Sequence, residues 1–300
     1  MITPPYAVGF DIGVTNVKTV CVSPSGEVLV RESFQTRAES PDWPTRISLR
    51  LSEMELRHGP AAAVGIAAPG VARADGASIR WMRGRLTEVQ GLNWSEHLGR
   101  RAPVVNDAQA ALLGEAWIGA ARGATNVILL TLGTGVGGAA IVDGKLLRGH
   151  LGRAGHLGHI CLDLNGGPDI VNTPGSLEAM IGNYTIAERS GGRYKDTHEL
   201  LDAYVRGNAD ARRIWERALD ALACGIASLT NVLDPEIVII GGGISISGDA
   251  LFRPVQERLR RVAWSLDGEQ VRLVPATLGE YAGAIGAARH AMNQLQENTT

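Results

Sequence analysis

Between residues 126 and 147 the chain passes from one apolar strand into another through a turn made mostly of glycine. NVILLTLG (126–133) leads into Gly133-Thr134-Gly135-Val136-Gly137-Gly138, and GGAAIVDGKLL (137–147) continues with Asp143-Gly144 placed to turn it into a hairpin. Bare backbone of this kind reaches conformations closed to other residues and lets N–H groups come close to a ligand. Successive N–H groups then make a concavity that suits an anion, and Thr134 adds a hydroxyl. The same design stands near the start. AVGFD (7–11) runs into Asp11-Ile12-Gly13-Val14-Thr15-Asn16, and VKTVCVS (17–23) follows, with Thr15 as the hydroxyl and Asp11 as a carboxylate at a strand end. A third cluster, Gly241-Gly242-Gly243, closes the apolar run EIVIIGGG (236–243). The first two turns join strand to strand. They are therefore not the strand–turn–helix loops of dinucleotide or P-loop sites, and none of the three fits G-x-G-x-x-G before a helix or G-x-x-x-x-G-K-[ST].

The remaining pattern alternates strand and helix, which makes the class α/β. EVLVRES (27–33), AAAVGIAAPG (61–70) and APVVND (102–107) read as strands, and 108–121 as a helix. Residues 149–175 are Gly-rich, His-containing and irregular; Ser176 is placed to cap a helix over SLEAMIGNYTIAE. Helices are expected over 196–208, 209–233, 249–263 and from 281, with a strand at 270–275. A chain of 300 residues can hold two packed domains. A formal net charge of −2 offers no basic face, so no nucleic acid or anionic membrane partner is expected. No run of about 18 apolar residues suggests a membrane span. The three cysteines, Cys21, Cys161 and Cys224, are too far apart for a disulfide framework, and no basic-then-apolar leader is seen; a cytoplasmic location is expected.

Taken in order, Asp11-Ile12-Gly13, Asn106-Asp107-Ala108, Gly114-Glu115, Leu132 to Gly138, Ala154-Gly155-His156-Leu157-Gly158-His159, Leu177-Glu178 and Asp234-Pro235 to Gly243 resemble the motifs of the ROK family (repressors, open reading frames and kinases). That family lies in the sugar kinase, heat-shock-protein and actin superfamily. The resemblance covers nearly the whole chain. It implies a two-lobed actin-like ATPase (ribonuclease H-like) fold with ATP in an interlobe cleft and a sugar beside the γ-phosphate. The lobes are expected at 1–107 and 108–280, with a helix over 281–300 packing back on the first. A homodimer is the assembly the family often forms, although no residue here marks an interface.

Carried onto these residues, the resemblance assigns the ATP phosphates to Gly133, Thr134, Gly135 and Gly137, opposed by Gly13 and Thr15. It assigns the adenosine to Gly242 and Gly243, where a tight junction before a helix capped by Ser247 or Asp249 is the bland alternative. Asp11 could hold Mg²⁺ directly or through water. Asp107 is the expected general base for a sugar hydroxyl, although an aspartate before AQAALL is also a good helix cap. Asn106, Gly70, Asn93, His156, His159 and Glu178 complete the substrate contacts. These are the amide, imidazole and carboxylate types that polyols need. Glu178 also suits a helix N-terminus, and Trp94 beside Asn93 suits a core.

Three departures from the family pattern stand out. His156 replaces a Glu that reads sugar hydroxyls. Val14 and Asn16 replace a Gly and a Lys in the first turn. The family's zinc site, one His and three Cys, has Asp169, Val171 and Ser176 at the cysteine positions, so no zinc site is expected despite His156, His159, Cys161 and Asp163 nearby. The function expected is transfer of the γ-phosphoryl of MgATP to a hydroxyl, the 6-OH, of a hexose or N-acetylhexosamine. Its rival is a non-catalytic sugar sensor or degenerate kinase. The first strand begins by Ala7, so the helix-turn-helix of the family's repressors is not expected.

Overall fold

The computed structural model of the chain describes residues 5–36, 43–84 and 86–297. Contacts divide it into two compact units. The first takes in Met1–Gly123, Leu146–Ala154 and Thr277–Thr300; the second takes in Ala124–Lys145 and Gly155–Ala276. The first unit opens with β1 (Ala7–Ile12), β2 (Asn16–Val22) and β3 (Val28–Gln35). Helix α1 (Trp43–His58) comes next, then β4 (Ala63–Ala68), the short strands β5 (Val71–Ala72) and β6 (Ile79–Trp81), and α2 (Trp94–His97). β7 (Val104–Asn106) then feeds α3 (Asp107–Ile118). The sheet runs β3-β2-β1-β4-β7: β1 and β2 form an antiparallel hairpin, and β4 and β7 add in parallel. β1 and β4 are apolar nearly throughout, which is how a strand covered on both faces reads.

The second unit repeats this plan. β8 (Val127–Leu132) and β9 (Val136–Val142) form an antiparallel hairpin, and β10 (Lys145–Leu146) follows the turn at Asp143-Gly144. Both turn residues take positive φ, as a two-residue hairpin turn demands. The irregular stretch 149–175 leads to α4 (Leu177–Ile181), capped by the Ser176 hydroxyl on Ala179 N–H, and α5 (Ile186–Arg189). α6 (Thr197–Val205) and the long amphipathic α7 (Ala209–Leu233) come next, and α7 ends at Asp234 in the left-handed conformation. β11 (Ile237–Gly241), α8 (Asp249–Val262) and β12 (Arg272–Pro275) complete the unit. The sheet order is β10-β9-β8-β11-β12, with β11 parallel to both neighbours.

The chain returns to the first unit at Thr277 and ends in α9 (Ala282–Glu297); residues 298–300, which the sequence reading includes in that helix, lie outside the described residues. α9 lies very close to both the sheet and α3. A Cβ on Gly9 of β1 would collide with the Ala284 carbonyl, one on Gly65 of β4 with the Ala287 carbonyl, and one on Gly286 with the Ala110 carbonyl of α3. Three glycines thus let three backbones meet where side chains would hold them apart. Glu115, fully buried in α3, fastens the same corner. Its carboxylate accepts from Ala120 N–H (2.7 Å), Thr277 N–H (2.8 Å), Leu278 N–H (2.8 Å) and the Thr277 hydroxyl (2.9 Å). These contacts hold α3 in the first unit, so the structure divides the chain after Gly123 where the sequence reading divided it after Asp107. Helix α1 had no counterpart in the sequence reading. Its buried residues, Trp43, Ile47, Leu51 and Met54, form a narrow stripe on a mostly polar helix whose other leucines, Leu49 and Leu56, are exposed. The Trp43 ring packs 5.9 Å from that of the fully buried Trp94, which is a core residue.

Candidate active site

In the first unit the turn between β1 and β2 has its carbonyls tied back. Thr36 donates its hydroxyl to Gly13 C=O (2.7 Å) and its N–H to Thr15 C=O (2.8 Å). The N–H groups of Val14 and Thr15 make no hydrogen bond among the described residues. Asp11, half-buried at the end of β1, lies over Gly283, where a Cβ would meet its carboxylate. Burial first and the charge of Asp107 second push its carboxyl up to about 7, against the pull of Lys18.

Asp107 is the first residue of α3, and the cap is Asn106. Asn106 Oδ1 accepts from Ala108 N–H (3.0 Å) and Gln109 N–H (3.2 Å), and its amide donates to Gly70 C=O (2.9 Å) and to Asp107 Oδ1 (2.9 Å). Each polar atom of Asn106 is therefore engaged within the protein. Asp107 Oδ1 also accepts from Ala108 N–H (2.8 Å), while Oδ2 has no hydrogen-bond partner among the described residues. Burial raises the Asp107 carboxyl above its ordinary value, more than these hydrogen bonds lower it. One oxygen is fixed and the other is open, the arrangement of a carboxylate set to accept a proton. Asn93 is not joined to this group: it caps α2 on Ser95 and Glu96 N–H, and its amide donates to Glu96 Oε1 (2.7 Å).

The second unit builds its turn in the same way. Asn183 N–H donates to Gly133 C=O (3.0 Å) and Tyr184 N–H to Thr134 C=O (3.0 Å), and the N–H groups of Thr134 and Gly135 make no hydrogen bond among the described residues. Gly242, at positive φ, lies against Leu132, where a Cβ would strike the backbone; the third glycine cluster therefore borders the second turn. Gly248 caps α8 with no side-chain bond, so neither Ser247 nor Asp249 is the cap. Gly135 admits the Glu178 carboxylate, which would clash with any Cβ there. Glu178 Oε2 accepts from Val136 N–H (2.9 Å); Oε1 is buried with no partner. Burial raises the Glu178 carboxyl, with Val136 N–H and His159 pulling it down. His159 Nδ1 lies 2.8 Å from Asp169 Oδ2 and 4.0 Å from Glu178 Oε1. His156 Nε2 is also buried without a partner, and burial, with His159 beside it, holds that ring below its ordinary pKa and hence neutral. Two orphaned polar atoms, one an acceptor and one on a neutral imidazole, suit a ligand rich in hydroxyls.

The residues fit one implied metal and not the other. Asp11 and Asp107 are neighbouring carboxylates, and the charge of Asp107 adds to burial in raising Asp11, so this pair is a donor set that would fit Mg²⁺. The cysteine-type zinc site does not fit. Val171 has no ligand atom, Ser176 Oγ is spent on its cap, and Asp169 Oδ1 is spent on the N–H groups of Val171 and Thr173 (both 2.9 Å). Among the described residues the atoms that could gather round an ion belong to His159, Asp169 and Glu178.

Duplicated five-stranded sheets, each opened by a hairpin whose turn presents free N–H groups, are the two-lobed actin-like ATPase fold, and with these carboxylates and imidazoles the class is the ATP-dependent sugar kinases. The family model of the ROK family matches residues 7–294. A glucokinase of Thermotoga maritima is 32% identical over 94% of this chain and 95% of its own length. The crystal structure of a ROK hexokinase from Thermus thermophilus superposes with a TM-score of 0.87 at 29% identity, covering 97% of this chain and 99% of that one. A ROK glucokinase from Streptomyces griseus, solved with glucose and AMPPNP, has a TM-score of 0.79 at 26% identity, covering 96% and 99%. The chain belongs to the ROK family.

Proposed function

We propose that this protein transfers the γ-phosphoryl group of MgATP to the 6-OH of a hexose, glucose or an N-acetylhexosamine, with Asp107 as general base. The observation that carries this reading is the asymmetry of Asp107, with Oδ1 fixed by two donors and Oδ2 open. The open oxygen takes the hydroxyl proton as the sugar oxygen attacks γ-phosphorus, the bond to the β-phosphate oxygen breaks, ADP leaves, and the proton then passes to solvent. Asn106 holds Asp107 through its amide. The N–H groups of Val14, Thr15, Thr134 and Gly135, with the hydroxyls of Thr15 and Thr134, bind the phosphates, and Gly242 and Gly243 admit the adenosine. Glu178 Oε1, His156 Nε2 and His159 bind sugar hydroxyls. Asp11 would hold Mg²⁺, which neutralises phosphate charge when bound. We place the reaction in the cytoplasm.

A sugar sensor would need the orphaned atoms of His156 and Glu178 but not an open carboxylate at Asp107. ADP release from MgATP across hexoses, hexosamines and N-acetylhexosamines tests the reading, with MgATP titration in parallel. Turnover on one sugar class with saturable MgATP binding is expected. Sugar binding with no MgATP affinity would replace the kinase by the sensor.

A further inference from the structure

We propose that Asp169, which stands where the family pattern has a zinc-binding cysteine, holds the 168–175 loop without metal and sets His159 for the sugar. This rests on the sugar reading of His159 and Glu178. Asp169 Oδ1 folds the loop from inside by accepting from Val171 and Thr173 N–H, while its own N–H donates to Thr173 C=O (2.9 Å) and Asn172 N–H donates to its C=O (3.0 Å). Pro168 and Pro174 pair across the loop's base. The second oxygen, Oδ2, reaches out of the loop to His159 Nδ1. The Asp169 side chain is wholly buried. Burial works to raise its carboxyl, but the hydrogen bonds from Thr173, His159, Ser176 and Val171 outweigh it and keep the group an ionised acceptor. An acceptor at Oδ2 means that Nδ1 carries the hydrogen, which leaves Nε2, without a partner among the described residues, as the atom that meets a ligand.

The distances give Asp169 a second role. Two carboxylates stand near Nδ1–H: Asp169 Oδ2 at 2.8 Å and Glu178 Oε1 at 4.0 Å. By taking Nδ1–H, Asp169 keeps Glu178 Oε1 unpartnered, so that a buried acceptor is left for a sugar hydroxyl. Without an acceptor at residue 169, His159 would turn its hydrogen to Glu178 and fill that place.

Asp169→Asn separates the parts. Its Oδ1 still accepts from Val171 and Thr173, but its amide donates, so the His159 hydrogen must leave Nδ1. Histidine ¹⁵N chemical shifts in the wild type are expected to show His159 with hydrogen on Nδ1, and in the variant to show it moved. The sugar KM should rise by about tenfold or more, with the ATP KM within about twofold. In the wild type, dialysis against a chelator should leave the melting temperature and the sugar KM unchanged. Stoichiometric zinc whose removal raises the sugar KM would overturn the proposal. So would a wild-type His159 with hydrogen on Nε2 alone, or an unchanged sugar KM in Asp169→Asn. If no sugar is turned over, the ¹⁵N shifts and chelator result still decide the hold of Asp169 on His159, and the kinase reading alone fails.

Discussion

At the scale of single residues, the first unit stores unfavourable charge. Asp11 is pushed up to about 7 by burial and by Asp107, so between its ordinary 3.8 and about 7 the folded chain keeps a proton that the unfolded chain has lost. The sign follows: a raised carboxyl contributes stability that is complete below the ordinary value and is lost as pH rises through about 7. Asp107, also raised, acts in the same direction. Urea unfolding without Mg²⁺ should therefore show stability falling across that window. Asp11→Asn should flatten the fall, and Mg²⁺ should restore stability at pH 8 in the wild type but not in the variant. Equal pH slopes in the two proteins would remove Asp11 as the source, and equal recovery on adding Mg²⁺ would remove it as the cation's ligand. Residues also mark how far the sequence could be read. Asp107 was visible as base or cap, but which residue of Asn106-Asp107 caps α3 depends on backbone angles, and the structure gives the cap to Asn106. The orphaned state of Glu178 Oε1 and His156 Nε2 depends on neighbours distant in sequence and had no local signal.

Elements extend that contrast. The hairpin turns were legible because glycine at a strand end has few other uses. Helix α1 was not, because its apolar stripe of Trp43, Ile47, Leu51 and Met54 is narrow and is interrupted by polar and charged residues and by the exposed Leu49. The place of α3 in the first unit was hidden as well, since it depends on Gly286 and Glu115 meeting partners far along the chain. Those partners make a strong prediction. Gly286→Ala puts a methyl group into the Ala110 carbonyl, and separating α9 from α3 should cost about 3 kcal/mol. Glu115→Gln replaces an acceptor of four hydrogen bonds with a group that must donate with one end, and should cost roughly 2–4 kcal/mol. Denaturant midpoints of both variants check this; a loss of under about 0.5 kcal/mol, the range of ordinary surface substitutions, would show that α9 is not fastened there.

For the whole molecule, the same sheet order occurs twice, β3-β2-β1-β4-β7 and β10-β9-β8-β11-β12, and each copy opens with the hairpin that carries a glycine turn. In both turns the carbonyls are tied back by later residues, Thr36 in one and Asn183 and Tyr184 in the other, while N–H groups are left over. The two units differ in what they add. The first adds Asn106 and Asp107; the second adds His156, His159 and Glu178. The proposed function puts chemistry and sugar recognition on different residues, and this makes a test possible. Single-turnover phosphoryl transfer by Asp107→Asn, with sugar and MgATP affinities measured on the same sample, is that test. The transfer rate should fall by about 10²- to 10⁴-fold with both affinities within about threefold of wild type. Transfer at the wild-type rate would contradict Asp107 as the base and, with it, the reading of its open oxygen.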